Sequence, residues 1–252
     1  MERAIRVISV ERGFDPRDFA LVSFGGAGGM HASSLAQKLR IPVVVVPKNA
    51  GVLSALGMLL SDTIKDYSVS VLRPGDTVSM AELERLFRPL LAEASRDLKK
   101  EGFSPKRMRL LRFLDVRYTG QSYELTVPLS AGYRKEFNRV HLRTYGYADE
   151  TRPVEVVNLR LKAVGVTEKS PFAEIEFRGT DAGPALIDRR AMRFDGRTHR
   201  ANVYARGKLG AGNVITGPAL VLDYESTAIV PPSHDGRVDK YGNLIIRQRG
   251  GR

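Results

Sequence analysis

The sequence contains no cysteine and no tryptophan, and it has only four histidines in 252 residues. Without cysteine the chain can form no disulfide and can offer neither a thiolate metal ligand nor a cysteine nucleophile. The histidines lie far apart, and none has the paired spacing that is typical of a local zinc site. The composition therefore predicts no metal site and agrees with a cytoplasmic protein.

Long hydrophobic runs are also missing. The longest apolar stretch, residues 51–60, has the length of a buried helix and is too short to cross a membrane. The first residues, Met1-Glu2-Arg3, lead into an amphipathic pattern, whereas a signal peptide would continue into an apolar segment. We therefore expect no membrane contact and a cytoplasmic location.

Acidic residues are in the minority, with 28 against 40 lysines and arginines, which gives a net charge of +12. Such an excess can indicate a nucleic-acid partner, an acidic protein partner or an evenly solvated basic surface. The arginines cluster at residues 107–117 and 189–190. No helix-turn-helix, zinc-finger or aromatic RNA-binding signature accompanies them, so the charge alone does not indicate nucleic acid.

A glycine-rich turn is the most informative stretch of the chain. Residues 19–24 form an apolar run, which ends in Gly25-Gly26-Ala27-Gly28-Gly29 and is followed by a helical pattern from Met30. The run predicts a strand buried on both faces, and the next helix would direct its first amides towards an anion. The segment is neither a P-loop nor a full dinucleotide fingerprint. Local evidence is thus equally compatible with a nucleotide-contacting corner and with a turn that only packs.

A second apolar run, residues 41–46, predicts a parallel strand beside the first. The loop 47–51 would follow at its carboxyl end, where open α/β sheets bind ligands. Lys48 in this loop could meet a phosphate, although a single lysine in a loop is also typical of a solvated surface.

The remaining chain changes from helical to β-rich patterns. A one-sided apolar stripe from Leu83 to Leu98 predicts a core-facing helix, with Ser79 and Glu82 at capping-box spacing. Residues 110–118 and 122–127 predict a hairpin, and many short strands separated by glycine turns predict a small sandwich or barrel. We expect a mixed α/β and α+β fold, with an α/β segment over residues 1–72 and a β-rich domain over residues 73–252.

Several segments resemble a known family. They are FGGAGGMHASSLAQKLRIPVVVVPKNAGVLSALGMLLSD at residues 24–62 and the stretches at 115–129, 141–148, 153–161 and 217–221. This order is similar to that of the hydantoinase A/5-oxoprolinase family, which includes N-methylhydantoinase A subunits and the matching subunits of acetone-type carboxylases. The family usually has proline and leucine where this chain has Gly29 and Met30, a departure that we expect to add flexibility to the turn.

The resemblance implies an actin/sugar-kinase-type ATPase lobe in which the glycine turn lies against the adenosine of ATP. The residues expected at the nucleotide are Gly25, Gly26, Ala27, Gly28, His31 and Lys48. The resemblance also implies Mg²⁺ with the ATP and an ATP-dependent opening of a cyclic amide such as a hydantoin or 5-oxoproline. It identifies no catalytic residue in this chain.

Full-length relatives begin with a DxGGT-like phosphate motif and carry a second one further on, and neither occurs here. The chain therefore resembles the C-terminal part of such a subunit and is not expected to be competent alone. The implied partners are the missing N-terminal ATPase half and a B-type subunit in an oligomer. Two alternatives stay open, namely a non-catalytic assembly module and a basic nucleic-acid-binding protein.

Overall fold

A computed structural model describes residues 1–169 and 172–250. The helices and strands of the described residues are, in chain order, α1 Glu2–Ile8, β1 Ala20–Val22, α2 Gly28–Leu39, β2 Val43–Val46, α3 Leu53–Leu60, β3 Thr63–Pro74, α4 Met80–Lys100, β4 Met108–Tyr118, β5 Leu125–Pro128, α5 Tyr133–Tyr145, β6 Val154–Gly165, β7 Leu186–Phe194, β8 Arg197–Ala205, β9 Val214–Thr216, β10 Ala219–Leu222, β11 Thr227–Val230, β12 His234–Val238 and β13 Leu244–Gln248. No helix within these described ranges is both long and apolar enough to cross a membrane.

The chain divides into two compact units. The first combines residues 1–59 with residues 170–252, of which 172–250 are described, and the second comprises residues 60–169. This division differs from the expected segments 1–72 and 73–252. The reason is strand pairing, because β2 pairs with β13 while β3 pairs with β6.

The first unit contains two sheets around one core. One sheet has the strand order β1-β2-β13-β12-β9, and the other has the order β11-β10-β8-β7. The pairs β1/β2 and β8/β10 are parallel, and the remaining pairs are antiparallel. Helix α2 buries Ala32, Ala36 and Leu39 in this core, where Val44 and Val46 of β2 also lie. The predicted parallel pairing of the first two strands is confirmed.

Strand β1 is not buried on both faces, so that prediction is wrong. Among the strands that the structure describes, it pairs with β2 alone and is therefore an edge strand. Phe19, Val22 and Phe24 are 52%, 51% and 55% exposed. A strand with one neighbour leaves its other edge and the side chains near it uncovered, and the apolar run alone cannot show how many neighbours its strand has.

The second unit is a four-stranded antiparallel sheet, β3-β6-β4-β5, packed with α4 and α5. Helix α4 buries the predicted stripe, including Leu83, Phe87 and Leu98. Its first turn is capped by Ser79, whose Oγ accepts a hydrogen bond of 3.1 Å from the amide of Glu82. The predicted helix, its cap and the β4–β5 hairpin are confirmed.

The mixed α/β fold class is confirmed, whereas the barrel is not. The described strands form three open sheets, and none of these sheets closes on itself. Glycine turns between short strands are typical of barrels and of open sheets alike, which is why the sequence pattern could not distinguish the two.

Candidate functional site

The glycine turn (residues 25–28) lies between β1 and α2, at the carboxyl end of the parallel pair β1/β2. Gly25 adopts a left-handed conformation with φ of +87°, which a residue with a side chain rarely accepts. Its amide donates a hydrogen bond of 2.7 Å to the carbonyl of Ala50. The structure thus brings the turn and the loop 47–51 together at one rim, as the strand order predicts.

Some of the glycines in and near the turn pack closely against β11 and the turn that precedes it. The carbonyl of Gly26 accepts a hydrogen bond of 3.0 Å from the amide of Thr227. A Cβ on Gly29 would lie 2.6 Å from the Thr227 carbonyl oxygen, and one on Gly51 would lie 2.4 Å from Cβ of Glu225. These contacts require glycine at positions 29 and 51. Gly29 lies within α2 and is buried, so the expectation that it adds flexibility to the turn is not supported.

Packing does not account for the exposed part of the turn. Gly26 and Ala27 are exposed, and their amides have no hydrogen-bond acceptor among the residues that the structure describes. Ala27 occupies the N-cap of α2 and provides no capping side chain. The first amides of a helix carry partial positive charge, so this corner presents unpaired donors to solvent and has a surface that suits an anionic or polar ligand.

Two of the other predicted residues lie in different surroundings. His31 is exposed on α2, four residues after Ala27 and therefore on the same side of the helix. Lys48 follows β2, but its side chain packs beside Gly242 and lines a cavity of about 300 Å³ together with Arg206 and Asp223. The structure therefore groups residues 25–28 with His31, and it directs the Lys48 side chain into this cavity.

Arg206 is a residue that the sequence did not single out. It is buried, and its Nη2 donates hydrogen bonds of 2.9 Å to the carbonyls of Val46 and Gly242. Burial lowers the pKa of Arg206, and Asp223 at 4.0 Å from Nε opposes that shift. Arg206 thereby holds the carboxyl end of β2 in place. No sequence signal identified it, because an arginine after a strand usually indicates a surface position.

The described residues contain no group of three or more histidine, aspartate or glutamate side chains placed to hold a metal ion. The site as it stands consists of backbone donors at the glycine turn, with a neighbouring basic cavity.

Two family models match the chain. The model described as hydantoinase/oxoprolinase matches residues 1–67, and the model described as hydantoinase/oxoprolinase C-terminal domain matches residues 74–248. The interval between the two matched ranges contains the expected boundary at residue 72.

Three curated relatives align over nearly the whole chain. Protein MJ0964 of Methanocaldococcus jannaschii is 36% identical, and 98% of this chain aligns with 36% of its length. The caprolactamase subunit alpha of Pseudomonas jessenii is 33% identical, with 92% of this chain and 35% of that subunit covered. For 5-oxoprolinase 1 of Arabidopsis thaliana the identity is 30%, with 98% of this chain and 20% of that protein covered. The chain thus spans about a third of the length of the first two relatives and a fifth of the length of the third.

Two solved structures share the fold. One is nucleotide-free acetone carboxylase, whose structure concerns ATP-dependent acetone carboxylation. It superposes on this chain with a TM-score of 0.85 at 22% identity, and the match covers 98% of this chain and 38% of the acetone carboxylase chain. The ATP-dependent caprolactamase from Pseudomonas jessenii superposes with a TM-score of 0.63 at 29% identity, with the same coverage.

Proposed function

The chain belongs to the hydantoinase/oxoprolinase family, and on that premise we propose that it supplies the adenosine side of a nucleotide site in an ATP-dependent enzyme that opens cyclic amides. One structural relative is an ATP-dependent caprolactamase, and 5-oxoprolinase 1 of Arabidopsis thaliana is among the sequence relatives. Because this chain spans only part of those proteins, the phosphate-binding loops and the Mg²⁺ that accompanies ATP belong to sequence outside it. Carboxylation is the related reaction of the structural neighbour.

The glycine turn is the observation that carries the proposal. Gly25 has no Cβ, so a ligand can approach its backbone closely. Its left-handed φ also sets the conformation of the turn. The amides of Gly26 and Ala27 have no acceptor in the described part of the chain. They lie beside the positive end of the α2 dipole, where an anionic ligand is favoured. The nucleotide would therefore meet donors that already face solvent.

Exposed apolar side chains in and around the edge strand β1 indicate where a partner would bind. Phe14, Phe19, Val22 and Phe24 are each about half exposed, and the rings of Phe14 and Phe19 meet edge to face at 6.2 Å. Apolar surface of this kind is typical of a covered interface. We assign it to the N-terminal ATPase half of the subunit. A B-type subunit in the same oligomer is the further partner that the family suggests.

The test is calorimetric titration of the chain with Mg-ATP, using substitutions at Ala27. A Cβ at Gly26 would already press on the Glu225 carbonyl at 3.2 Å, whereas Ala27 is exposed at the N-cap. Aspartate and asparagine both cap helices well there, so Ala27→Asp and Ala27→Asn differ chiefly in charge. We expect Ala27→Asp to bind ATP about 1–2 kcal/mol more weakly than Ala27→Asn, since its carboxylate adds a negative charge beside a ligand that is itself anionic.

Equal ATP affinity of the two variants would place the nucleotide away from this turn. No ATP binding by a well-folded chain would contradict an autonomous half-site and favour the non-catalytic assembly module. A strongly salt-dependent affinity for DNA or RNA in its place would favour the nucleic-acid alternative.

A further inference from the structure

A small aromatic pocket lies in the second unit, where the loop after β4 meets the end of α5. We call it the Tyr147 pocket. It has a volume of about 210 Å³ and is lined by Gln121, Ser122, Tyr123, His141, Tyr145 and Tyr147. At about 30 Å³ for each water in the liquid, this volume corresponds to about seven waters, which is room for a five- or six-membered ring.

His141 forms the inner wall of the Tyr147 pocket. It is only 2% exposed, and its imidazole contacts the rings of Tyr118, Tyr145 and Tyr147 at centroid distances of 4.7 to 4.8 Å. A buried imidazole among aromatic rings needs hydrogen bonds for both of its nitrogens. Only one of them has a partner among the described residues.

The tautomer of His141 follows from that one bond. Nδ1 lies 2.8 Å from the carbonyl oxygen of Tyr147. A carbonyl only accepts hydrogen bonds, so Nδ1 carries the proton and donates it. In the neutral ring Nε2 is then an acceptor, and no described residue donates to it. Because His141 lines the cavity, a ligand in the Tyr147 pocket can supply the missing donor.

The other walls favour a flat ligand that also has an acceptor. Tyr145 and Tyr147 are about half exposed and Tyr123 is 79% exposed, so their rings offer apolar faces for a planar group. Gln121 donates to the hydroxyl of Tyr147 at 3.3 Å, and its amide and the hydroxyl of Ser122 can donate to a ligand carbonyl. Aromatic faces with both kinds of hydrogen-bonding partner match a planar amide.

We propose that the Tyr147 pocket binds a small ring amide, whose N–H donates to Nε2 of His141 while the ring packs on the tyrosines. The planar N–H group follows from the Tyr147 pocket itself, whereas the choice of a ring amide over other planar N–H compounds rests on the proposed function. Neither family match assigns a role to this pocket, and its residues belong to the hairpin loop and helix end that the resemblance marks at 115–129 and 141–148.

The proposal is tested by nitrogen-15 NMR of the histidine side chains, without nucleotide. The probes are 2-pyrrolidinone, a five-membered ring amide, and N-methyl-2-pyrrolidinone, which keeps the ring and carbonyl but lacks the N–H. We expect 2-pyrrolidinone to shift the Nε2 resonance of His141 saturably. The methylated probe should bind at least about tenfold more weakly, because it has no N–H to donate to Nε2.

A variant pair locates the binding. Tyr123→Ala removes an exposed wall of the Tyr147 pocket and should weaken 2-pyrrolidinone about three- to tenfold. Leu142→Ala, a neighbour of His141 that is 53% exposed and does not line this pocket, should leave the affinity unchanged. No saturable shift, equal affinity of the two probes, or an unchanged affinity in Tyr123→Ala would each overturn the proposal.

These outcomes are separate from those of the ATP titration. A chain that binds Mg-ATP but ignores 2-pyrrolidinone refutes this pocket and leaves the nucleotide half-site standing. A chain that binds 2-pyrrolidinone through His141 but not ATP supports the pocket and contradicts the half-site.

Discussion

Replacing Asp115 with alanine would remove the acceptor at the centre of a buried polar cluster in the second unit. Asp115 lies on β4 and is fully buried. Its Oδ1 accepts a hydrogen bond of 2.7 Å from Oγ1 of Thr126, and its Oδ2 accepts bonds of 2.9 Å from Nδ2 of Asn158 and 2.5 Å from Nε of Arg160. One carboxylate therefore joins three neighbouring strands, β5, β4 and β6.

The expected cost follows from those three bonds. Breaking a buried, hydrogen-bonded ion pair by removing one partner costs about 3–5 kcal/mol, and we expect Asp115→Ala to lie near the lower end of that range. The Arg160 side chain is 50% exposed, so part of the cost is relieved by water around its guanidinium. Asp115→Asn keeps the shape but turns one acceptor into a donor, and it should cost about 2 kcal/mol.

The assay is urea unfolding followed by tyrosine fluorescence and circular dichroism, with Thr126→Val as a milder control that removes one donor and should cost about 1 kcal/mol. A loss of stability below about 1 kcal/mol in Asp115→Ala would refute the structural reasoning.

Two further predictions concern packing and pH. Gly29→Ala would bring a Cβ to 2.6 Å from the Thr227 carbonyl oxygen. In thermal unfolding it should lower the stability of the chain by about 1–3 kcal/mol. The control is Gly207→Ala, which should change stability little because a Cβ at Gly207 would have open space around it. Burial, followed by the hydrogen bond to Asp97, raises the pKa of Tyr67 to about 12 from 10.0. The resulting stability is fully present below pH 10 and is lost as pH rises through 12. An absorbance titration of the wild-type chain should therefore show more late tyrosinate than that of Tyr67→Phe, and identical curves for the two would contradict the prediction.

The features that the sequence predicted are those with local signals. The stripe of α4 and its Ser79 cap are set by residues within one helix, and the β4–β5 hairpin joins neighbours along the chain. The exposure of β1 could not be predicted, because it depends on how many strands pair with it. Arg206 reaches the carbonyl of Val46, 160 positions earlier, and no pattern within a short window contains such a contact.

The glycine turn depends on residues late in the chain for its position. Strand β2 pairs with β13 from Val46/Leu244 to Val43/Arg247, and the amide of Lys48 donates to Oδ1 of Asn243 at 3.1 Å. The Gly26 carbonyl accepts from the Thr227 amide. Each contact joins the rim of β1 and β2 to the β-rich segment, so the first family model, at residues 1–67, does not contain all that shapes the turn. We therefore regard the proposed adenosine corner as a product of both family segments, because their strands form one sheet and one hydrophobic core.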